Sequence, residues 1–387
     1  MHVLFIPKWF PDRKDPQLGD FLRKQAIATA RHARVSVLHV RPDPDLGPSM
    51  EQQVIEKDGI WELHCYYRGS RSRSAGLRRA INLPLYWRAA IAGFRRVVRE
   101  RGIPDIDHVH IMLRPAALAY YLRLRHGIPY LISEQSSEYF DGTFQAKGEL
   151  YRRWSSFLFF KAAAVTAVST WLGDRLVQLK LIKRYKVVPN VVPGLDRPLP
   201  PPGDPRHFMM VADLVDRTKN VSGVFRALAM AHESDPQLRL TLIGDGPDRQ
   251  LLEELRTHLG LQDHVRFLGR LPNAQVLDHI ANAGCVIINS NIETFSVVTG
   301  EALAQGRPVI ATRCGGPIAF VNEQNGILIG PRDDEALRDA MLRMARSQHL
   351  YPPEAIRRSV SANFSQEAVG NAFFLLYERI LDLAGRY

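Results

Sequence analysis

Cysteines, long apolar runs and a leader segment are scarce or missing in this sequence. Its three cysteines, Cys65, Cys285 and Cys314, lie far apart and form no Cys-x-x-Cys pair. A disulfide framework or a structural zinc site is therefore not expected, and a reducing compartment fits. No stretch of about 18 apolar residues occurs, and the first residues, MHVLFIPKWF, lack a cationic leader and a small-residue cleavage site. We expect a soluble, cytoplasmic chain.

Acidic residues are outnumbered by basic ones. The 387 residues include 51 Lys plus Arg against 40 Asp plus Glu, which gives a formal net charge of +11. Such an excess favours an anionic partner: nucleic acid, anionic lipid or a phosphorylated substrate. It is concentrated between Trp61 and Arg101, where ten arginines face only Glu62 and Glu100. That segment has no readable nucleic-acid-binding motif, so we do not expect nucleic acid as the partner.

Composition and apolar patterning predict the fold class. Hydrophobic residues make up 45% and charged residues 24% of the chain, which excludes disordered and fibrous classes. A chain of this length favours two domains. Short Val/Ile/Leu-rich runs, such as HVLFI at 2–6 and CVIINS at 285–290, alternate with helix-length amphipathic stretches in both halves. This alternation is typical of parallel sheets covered on both faces. We predict two doubly wound, Rossmann-like α/β domains with a central cleft between them.

A proline-rich segment divides the two halves. Residues 191–206 contain six prolines and two glycines, a composition typical of a semi-rigid linker because proline fixes φ and removes a backbone donor. We predict an N-terminal domain over residues 1–193, a linker over 194–205 and a C-terminal domain over 206–364. The remaining residues, 365–387, are predicted to form one more amphipathic helix.

The densest chemical signal lies between Asn289 and Pro317. A buried strand runs into a polar loop, and seven residues separate Glu293 from Glu301. We predict that Glu301 opens a short helix. Backbone N–H groups just ahead of that helix would favour an anion, because unpaired donors and the helix dipole act together there. These donors belong to Thr294, Phe295, Ser296 and Val297.

The pattern S-x-x-E-T-F, then E-A-L-A-x-G-x-P-V-I-A-T and G-G-P, resembles the E-x7-E region of the retaining glycosyltransferases of family four, which have the GT-B fold. The resemblance covers nearly the whole chain. LVDRTKN at 214–220 resembles the loop that holds the donor diphosphate. LTLIGDGP and HVRFLGRLP, with Gly244 and Leu268, resemble the segments that flank the nucleotide base. The N-terminal loop with Gly19 resembles a phosphate-binding loop, and the last helix resembles one that crosses back to the N-terminal domain.

The resemblance implies transfer of a sugar from a nucleotide donor, with retention at the anomeric carbon and with neither a required metal nor a cofactor. Lys219, with Arg217 as second choice, would meet the charge that builds on the β-phosphate. The backbone donors at 294–297 would bind phosphates and sugar hydroxyls. Glu301 would hold the ribose, and Glu293 would contact the donor sugar and stabilise its positive character. UDP is favoured over GDP because it is the commoner carrier in the family.

Two departures from the family pattern affect this site. Ala212-Asp213-Leu214 stands where Gly-Arg-Leu is usual, so one phosphate-binding arginine is absent, and Arg217 is its candidate replacement. Ser133-Glu134-Gln135 stands where Thr-Glu-His is usual. Gln135 can hydrogen-bond a sugar hydroxyl but cannot carry a positive charge at pH 7. It is the third catalytic candidate beside Glu293 and Lys219.

The arginine-rich segment is the clue to the acceptor. Over residues 82–102 an apolar stripe recurs at helical spacing, and we expect it to pack on the N-terminal sheet, with a cationic helix on an anionic membrane as the alternative. Residues 67–79 are predicted to be a loop whose arginines meet lipid phosphate or the diphosphate of a lipid-linked acceptor. These are Arg71, Arg73, Arg78 and Arg79. We expect a peripheral protein at the inner face of the cell membrane that extends a lipid-linked glycan for envelope polysaccharide or lipopolysaccharide.

Other functions stay open. A non-catalytic nucleotide-sugar-binding protein would explain Gln135 and Asp213, although Glu293, Glu301 and Lys219 argue against it. A nucleotide-sugar epimerase on the same fold would need acids and a histidine placed for proton transfer, a set that the sequence does not display. Two D-x-D matches, at 43–45 and 105–107, are expected by chance with this many aspartates, so no metal site is predicted. The sequence does not indicate an oligomeric state.

Overall fold

The computed structural model describes residues 1–385, which divide into two units. Unit 1 comprises residues Met1–Val191 together with the chain from Gln366 onward, and unit 2 comprises Val192–Ser365. Each unit is a sheet covered by helices on both faces. The prediction of two doubly wound α/β domains is confirmed. Within residues 1–385 no helix has both the length and the apolarity needed to cross a membrane.

Unit 1 contains an eight-stranded sheet in the order β3-β4-β2-β1-β5-β6-β7-β8. Its strands are β1 (His2–Pro7), β2 (Arg34–Pro42), β3 (Met50–Lys57), β4 (Ile60–Tyr67), β5 (Ile106–His110), β6 (Tyr130–Glu134), β7 (Ala164–Ala167) and β8 (Lys186–Val187). Its helices are α1 (Asp20–Ala30), α2 (Ala75–Arg101), α3 (Arg114–His126), α4 (Glu149–Lys161) and α5 (Thr170–Gln178). Every pairing is parallel except that of β3 with β4, a hairpin that the sequence analysis did not predict.

Unit 2 contains a six-stranded, all-parallel sheet in the order β11-β10-β9-β12-β13-β14. Its strands are β9 (Asp204–Val211), β10 (Arg239–Ile243), β11 (Val265–Gly269), β12 (Ala283–Ile288), β13 (Val309–Thr312) and β14 (Gly326–Ile329). Its helices are α6 (Asp216–Lys219), α7 (Val221–His232), α8 (Arg249–His258), α9 (Asn273–Asn282), α10 (Val297–Ala304), α11 (Asp334–Ser347) and α12 (Pro353–Phe364). β9 begins two residues inside the predicted linker.

The last helix, α13 (Gln366–Leu383), returns to unit 1 and packs along α1. Its buried apolar side chains, which include Val369 and Phe373, join the core formed by β1, β2 and α1. Gly370 lies so close to α1 that a Cβ there would be 2.2 Å from the carbonyl oxygen of Ala28. A hydrogen bond of 2.7 Å between Tyr377 Oη and His108 Nδ1 ties the helix to β5.

The strand orders locate the candidate sites. In each sheet the chain reverses its direction of progress once, between β1 and β5 in unit 1 and between β9 and β12 in unit 2. Ligands of open parallel sheets bind at the carboxyl ends of the strands beside such a switch point. The loops of interest are therefore those that follow β1 in unit 1 and β9 and β12 in unit 2.

Candidate active site

Lys219 and Glu293 form the centre of the candidate site in unit 2. Lys219 ends the short helix α6 after β9, and Glu293 lies in the loop after β12. Lys219 Nζ donates to Glu293 Oε1 at 2.5 Å, and Ser290 Oγ donates to the same oxygen at 2.8 Å. The two charged side chains are 24% and 17% exposed. A cation and a carboxylate are thus held together where the fold places ligands.

Side-chain amides hold the lysine in place. Asn289 Nδ2 donates to the carbonyl oxygen of Asn220 at 3.0 Å, and Asn291 Nδ2 donates to that of Arg217 at 2.8 Å. The backbone N–H of Asn291 also donates to the carbonyl oxygen of Thr218 at 2.7 Å. These three bonds fix the segment after β9 onto the segment after β12. The backbone segments that carry Lys219 and Glu293 are therefore fixed relative to each other by these bonds.

The environment keeps Lys219 charged. Burial disfavours the ammonium, but attraction and hydrogen bonding from Glu293 outweigh it, so the pKa of Lys219 lies above its ordinary value. Burial raises the pKa of the neighbouring Cys314 thiol to about 12. Cys314 is buried, and its thiol stays neutral at physiological pH. The cation is the stronger candidate for chemistry.

The loop that carries Glu293 is fixed by backbone hydrogen bonds to the Gly-Gly-Pro segment. Glu293 N–H donates to the carbonyl oxygen of Cys314 at 3.1 Å, and Gly316 N–H donates to that of Glu293 at 2.7 Å. Phe295 is buried and packs on Phe320 and Phe364, so its side chain belongs to the core. Only its backbone can serve the predicted phosphate contact.

The prediction that Glu301 opens a helix is wrong. α10 begins at Val297, with Ser296 as its N-cap in a left-handed conformation (φ 71°). Val, Val, Thr and Gly are poor helix formers, which hides this start from sequence analysis, but the fixed loop before it imposes the turn. Glu301 therefore lies one turn inside the helix. The first-turn N–H groups of Val297, Val298 and Thr299 lack intrahelical acceptors by geometry. Of the predicted donors, Thr294 and Phe295 precede the helix and only Val297 lies in its first turn.

Glu301 has a partner that the sequence analysis missed. It is 4% exposed, and Asn273 Nδ2, at the start of α9, donates to its Oε1 at 2.6 Å. Asn273 lies directly after the predicted base-flanking segment, in LPNAQ. The only available signal was that an amide follows a strand that ends at a candidate site. Asn273 sets the direction of the Glu301 carboxylate.

The predicted base-flanking residues lie on or directly after adjacent strands. Gly244 directly follows β10, and its N–H donates to the carbonyl oxygen of Gly269 at 2.9 Å, next to the half-buried Leu268 of β11. Gly244 has φ 138°, and a Cβ there would be 1.8 Å from the carbonyl oxygen of Ala212. Only glycine fits this position.

Two exposed residues lie near the departure at Asp213. Arg270, which follows β11, approaches Asp213 with 3.8 Å between Nη2 and Oδ1. Arg217 is exposed on α6. Arg270 is thus a second cation of this region, missed because it lies outside the phosphate-loop pattern.

In unit 1, Gly19 supports the loop that follows β1. It has φ 70° and precedes α1, and a Cβ there would be 2.7 Å from the carbonyl oxygen of Trp9. The loop is also held by charge, because Arg13 and Lys14 pair with Asp43, at 3.3 and 2.5 Å. The first D-x-D match therefore belongs to an ion-pair network. Among residues 1–385 no three His, Cys, Asp or Glu side chains are grouped to hold a metal ion.

Gln135 ends a chain of three buried amides, here called the amide relay: Asn190, Gln25 and Gln135. Gln25 Nε2 lies 3.3 Å from the carbonyl oxygen of Pro189 and 2.8 Å from Asn190 Oδ1. A backbone carbonyl can only accept, so Gln25 must direct its Nε2 there and its Oε1 the other way. Gln135 Nε2 donates to that Oε1 at 3.2 Å.

The relay leaves one acceptor unused. Among the described residues, no hydrogen-bond donor reaches the buried Oε1 of Gln135. The carboxylate of Glu134 fixes the adjacent backbone, since it accepts from the N–H groups of Gln135 and Ser136, each at 2.9 Å. Burial raises the pKa of Glu134. Gln135 is thus positioned to accept a hydrogen bond from a ligand, where the usual histidine could also donate.

The arginine-rich segment differs in part from its prediction. α2 begins at Ala75, capped by Ser74, so Arg78 and Arg79 lie on a helix and not in a loop. The prediction missed the Ser74 cap. Arg71 Nη2 pairs with Asp45 at 3.0 Å, whereas Arg73 is exposed. The second half of α2 packs on β2 and β4, as expected.

Two family models match the chain. The Glycosyl transferase 4-like domain matches residues 21–191, and Glycosyl transferases group 1 matches residues 194–359. The two matches divide the chain almost where the two units divide.

Curated relatives match parts or all of the chain. LpsD of Rhizobium meliloti (strain 1021), a lipopolysaccharide core biosynthesis glycosyltransferase, is 31% identical over 42% of this chain and 47% of its own length. The chain thus spans about half of that relative. TuaC of Bacillus subtilis (strain 168), a glycosyltransferase assigned to teichuronic acid biosynthesis, is 24% identical over 98% of this chain and 99% of its own length.

Solved structures match the whole fold. Sucrose-phosphate synthase from Thermosynechococcus elongatus has a TM-score of 0.76 at 21% identity, over 99% of this chain and 100% of that one. Anabaena HepE in complex with UDP and glucose has a TM-score of 0.71 at 17% identity, over 98% and 100%. At these identities the likeness establishes the fold alone.

Proposed function

This chain belongs to the glycosyltransferases of family four, with the GT-B fold, and we propose that it moves a sugar from a nucleotide-sugar donor to a glycan acceptor with retention at the anomeric carbon. The observation that carries this proposal is the pair of Lys219 and Glu293, held at 2.5 Å beside the switch point of unit 2. No other lysine occurs between residues 192 and 365.

The chemistry assigns each residue a task. When the bond between the sugar and the β-phosphate breaks, the electron pair and its negative charge go to the phosphate. Lys219 stabilises that charge, and in this role it makes a bound metal ion or cofactor unnecessary. Glu293 faces the positive charge that develops on the sugar. Glu301, directed by Asn273, holds the ribose, and the first turn of α10 binds phosphate through backbone N–H groups.

Donor binding also separates the lysine from its partner. The diphosphate competes with Glu293 for the ammonium, and the released carboxylate becomes available to the sugar. Through its Oε1, Gln135 accepts a hydrogen bond from a hydroxyl group of a sugar substrate.

Acceptor and location are the finer parts of the proposal. We favour a UDP-sugar as donor and a lipid-linked glycan of the bacterial envelope as acceptor, at the inner face of the cell membrane. The names of LpsD and TuaC and the UDP bound to HepE support this choice. The net charge of +11 supports an anionic surface.

A thermal-shift panel of UDP, GDP, ADP and their sugar conjugates tests the donor. A ligand at about 100 times its Kd adds ~2.7 kcal/mol of stability to the folded state. We expect a selective shift with UDP compounds that Glu301→Ala reduces. A selective shift with GDP compounds would mean that the donor carries guanine, with the proposed reaction unchanged. No shift with any nucleotide would refute donor binding.

A non-catalytic nucleotide-sugar-binding protein is the second candidate. It is favoured by Gln135 and Asp213, which remove two charges that the family usually has. The two candidates, a transferase and a binding protein, are distinguished by whether the nucleotide is released from the bound nucleotide-sugar when an acceptor is added. A bound donor that is never turned over with any glycan acceptor would favour the binding protein.

A further inference from the structure

The first two turns of α2 are exposed on every side. All seven residues from Ala75 to Ile81 are exposed, and they include Leu77 and Ile81, with Leu83 following. A short helical segment without tertiary packing is only marginally stable in water. Its apolar side chains would be covered if a further surface met this end of the helix.

Aromatic side chains continue this surface across α3 and α4. Trp87 of α2 contacts Tyr121, with 5.9 Å between ring centroids, and the adjacent Tyr120 lies 5.1 Å from Phe157 and 6.5 Å from Trp154. Trp154 and Phe157 stack at 5.2 Å. One ring pair thus joins α2 to α3, and one ring cluster joins α3 to α4.

Large aliphatic and aromatic side chains of α3 and α4 are also exposed to solvent. Leu150 is 83% exposed, Phe160 72% and Leu124 69%. Leu150, Trp154 and Phe157 recur at spacings of four and three, so they share one face of α4. Exposed apolar side chains that are clustered in this way mark an interaction site, whereas single ones need no explanation.

The charges on the same helices are almost all positive. Residues 75–90, α3 and α4 each carry three Arg or Lys residues, nine in total, against the single acid Glu149. The nine are Arg78, Arg79, Arg88, Arg114, Arg123, Arg125, Arg152, Arg153 and Lys161. Arg153 pairs with Glu149 at 2.7 Å, and the excess of positive charge that remains favours an anionic partner.

We infer that these three segments form a docking face for an anionic lipid bilayer, here called the aromatic face: residues 75–90, α3 and α4. Tyr and Trp favour the boundary between headgroups and acyl chains. Arginines attract anionic headgroups, and the exposed leucines and Phe160 enter the acyl boundary. The inference deepens the proposed function by naming the surface that meets the membrane. It includes α3 and α4, which the sequence analysis did not connect with a membrane.

Vesicle co-sedimentation tests the aromatic face. The probes are vesicles of phosphatidylcholine alone and of phosphatidylcholine with about a third phosphatidylglycerol, an anionic lipid. We expect the full chain to bind the anionic vesicles and the double variant Leu150→Ser/Phe160→Ser to bind at least ~10-fold more weakly, because two large side chains leave the bilayer. Arg152→Gln/Arg153→Gln should weaken binding by ~5-fold per arginine at low salt and by less at high salt.

Matched controls lie in unit 2. Leu251 and Leu350 are 64% and 65% exposed, so Leu251→Ser/Leu350→Ser removes comparable apolar surface elsewhere and should leave vesicle binding unchanged. The fluorescence emission of Trp154 should shift to shorter wavelength when the protein binds anionic vesicles. Trp154→Phe should remove this part of the fluorescence change. Equal loss in the unit 2 control, or no binding to anionic vesicles, would overturn the inference.

Two further outcomes are distinguished. If Leu150→Ser/Phe160→Ser instead converts a dimer to a monomer in sedimentation, the face binds a second copy of this chain and the lipid inference fails. Nucleotide thermal shifts are measured on the same variants. Vesicle binding without nucleotide binding would refute the proposed function but support the aromatic face as a lipid-binding surface. Nucleotide binding without vesicle binding would refute the aromatic face but leave the proposed function intact.

Discussion

Replacing Lys219 with alanine removes the cation that pairs with Glu293. A unit charge at about 4 Å is worth ~4 kcal/mol at the effective dielectric constant of a partly exposed site. If about half a charge develops on the leaving phosphate, the lost transition-state stabilisation is ~2 kcal/mol. Loss of a hydrogen bond to a charged group adds ~1.5–3 kcal/mol. Together these contributions are ~3.5–5 kcal/mol, so we expect turnover to fall by ~10³-fold, the upper end of the range found when one preorganised donor is removed.

Folding stability should change much less. The side chains of Lys219 and Glu293 are 24% and 17% exposed, and Ser290 still donates to the carboxylate after the lysine is gone. The expected loss of folding free energy is thus about 1 kcal/mol after solvent screening, well below the loss from breaking a fully buried ion pair. A thermal melt of the variant checks this. A large loss of stability would mean that reduced turnover reports folding and not chemistry.

Turnover is measured as release of the nucleoside diphosphate from the donor that the thermal-shift panel identifies. Lys219→Arg is the matched control, because it keeps the charge and should recover part of the rate. If Lys219→Ala retains turnover within about threefold, the leaving-group assignment is wrong. Glu293→Gln should lower the Lys219 pKa, since attraction from the carboxylate raises it. Acylation of this single unit 2 lysine should then be faster and be slowed by bound nucleotide.

Three other outcomes are expected. Asn273→Ala should weaken nucleotide binding by ~5–10-fold in titration calorimetry, because Glu301 loses the hydrogen bond from Asn273. Asn282→Ala, at the far end of the same helix, should leave nucleotide binding unchanged, and equal effects of the two variants would contradict the positioning role of Asn273. Gln25→Leu should raise the KM of one sugar substrate by ~5-fold without changing nucleotide binding, because the side chain of Gln135 loses its hydrogen bond and becomes free to rotate. Unchanged kinetics would show that the amide relay does not position Gln135. Burial without a hydrogen-bond partner in the described residues raises the pKa of Asp107 well above its usual range. Its stabilising contribution is therefore present below pH ~3.8 and lost as pH rises, so Asp107→Asn should stabilise unit 1 increasingly with pH, by up to ~1.4 kcal/mol per pH unit in urea melts. A difference that stays constant with pH would refute the buried protonated carboxyl.

The alternation of strands and helices could be predicted because it is recorded in local patterns. Apolar runs, amphipathic spacing and a proline-rich break occur within short windows, and they indicate two doubly wound domains without any tertiary contact. The candidates Lys219 and Glu293 were also found from sequence. They were found by resemblance to a family pattern, and their catalytic roles stay predictions.

The helix starts at α2 and α10 were predicted less well. Ser74 caps α2 inside a stretch that composition alone describes as a charged loop. α10 begins with residues of low helix propensity, and the backbone bonds of Glu293 to the Gly-Gly-Pro segment hold the turn before it. In both places a local or tertiary hydrogen bond outweighed the average preference of the residues.

What the sequence by itself determined is the fold class, the domain order and the identity of the charged candidates. Tertiary structure alone decided which side chains meet. Glu293 is 74 residues from Lys219, and Gln135 is 110 residues from Gln25. Parallel strands bring their carboxyl ends to one edge of a sheet, so residues remote in the chain become neighbours there. The aromatic face likewise exists only because three helices pack side by side, which no single window of sequence can record.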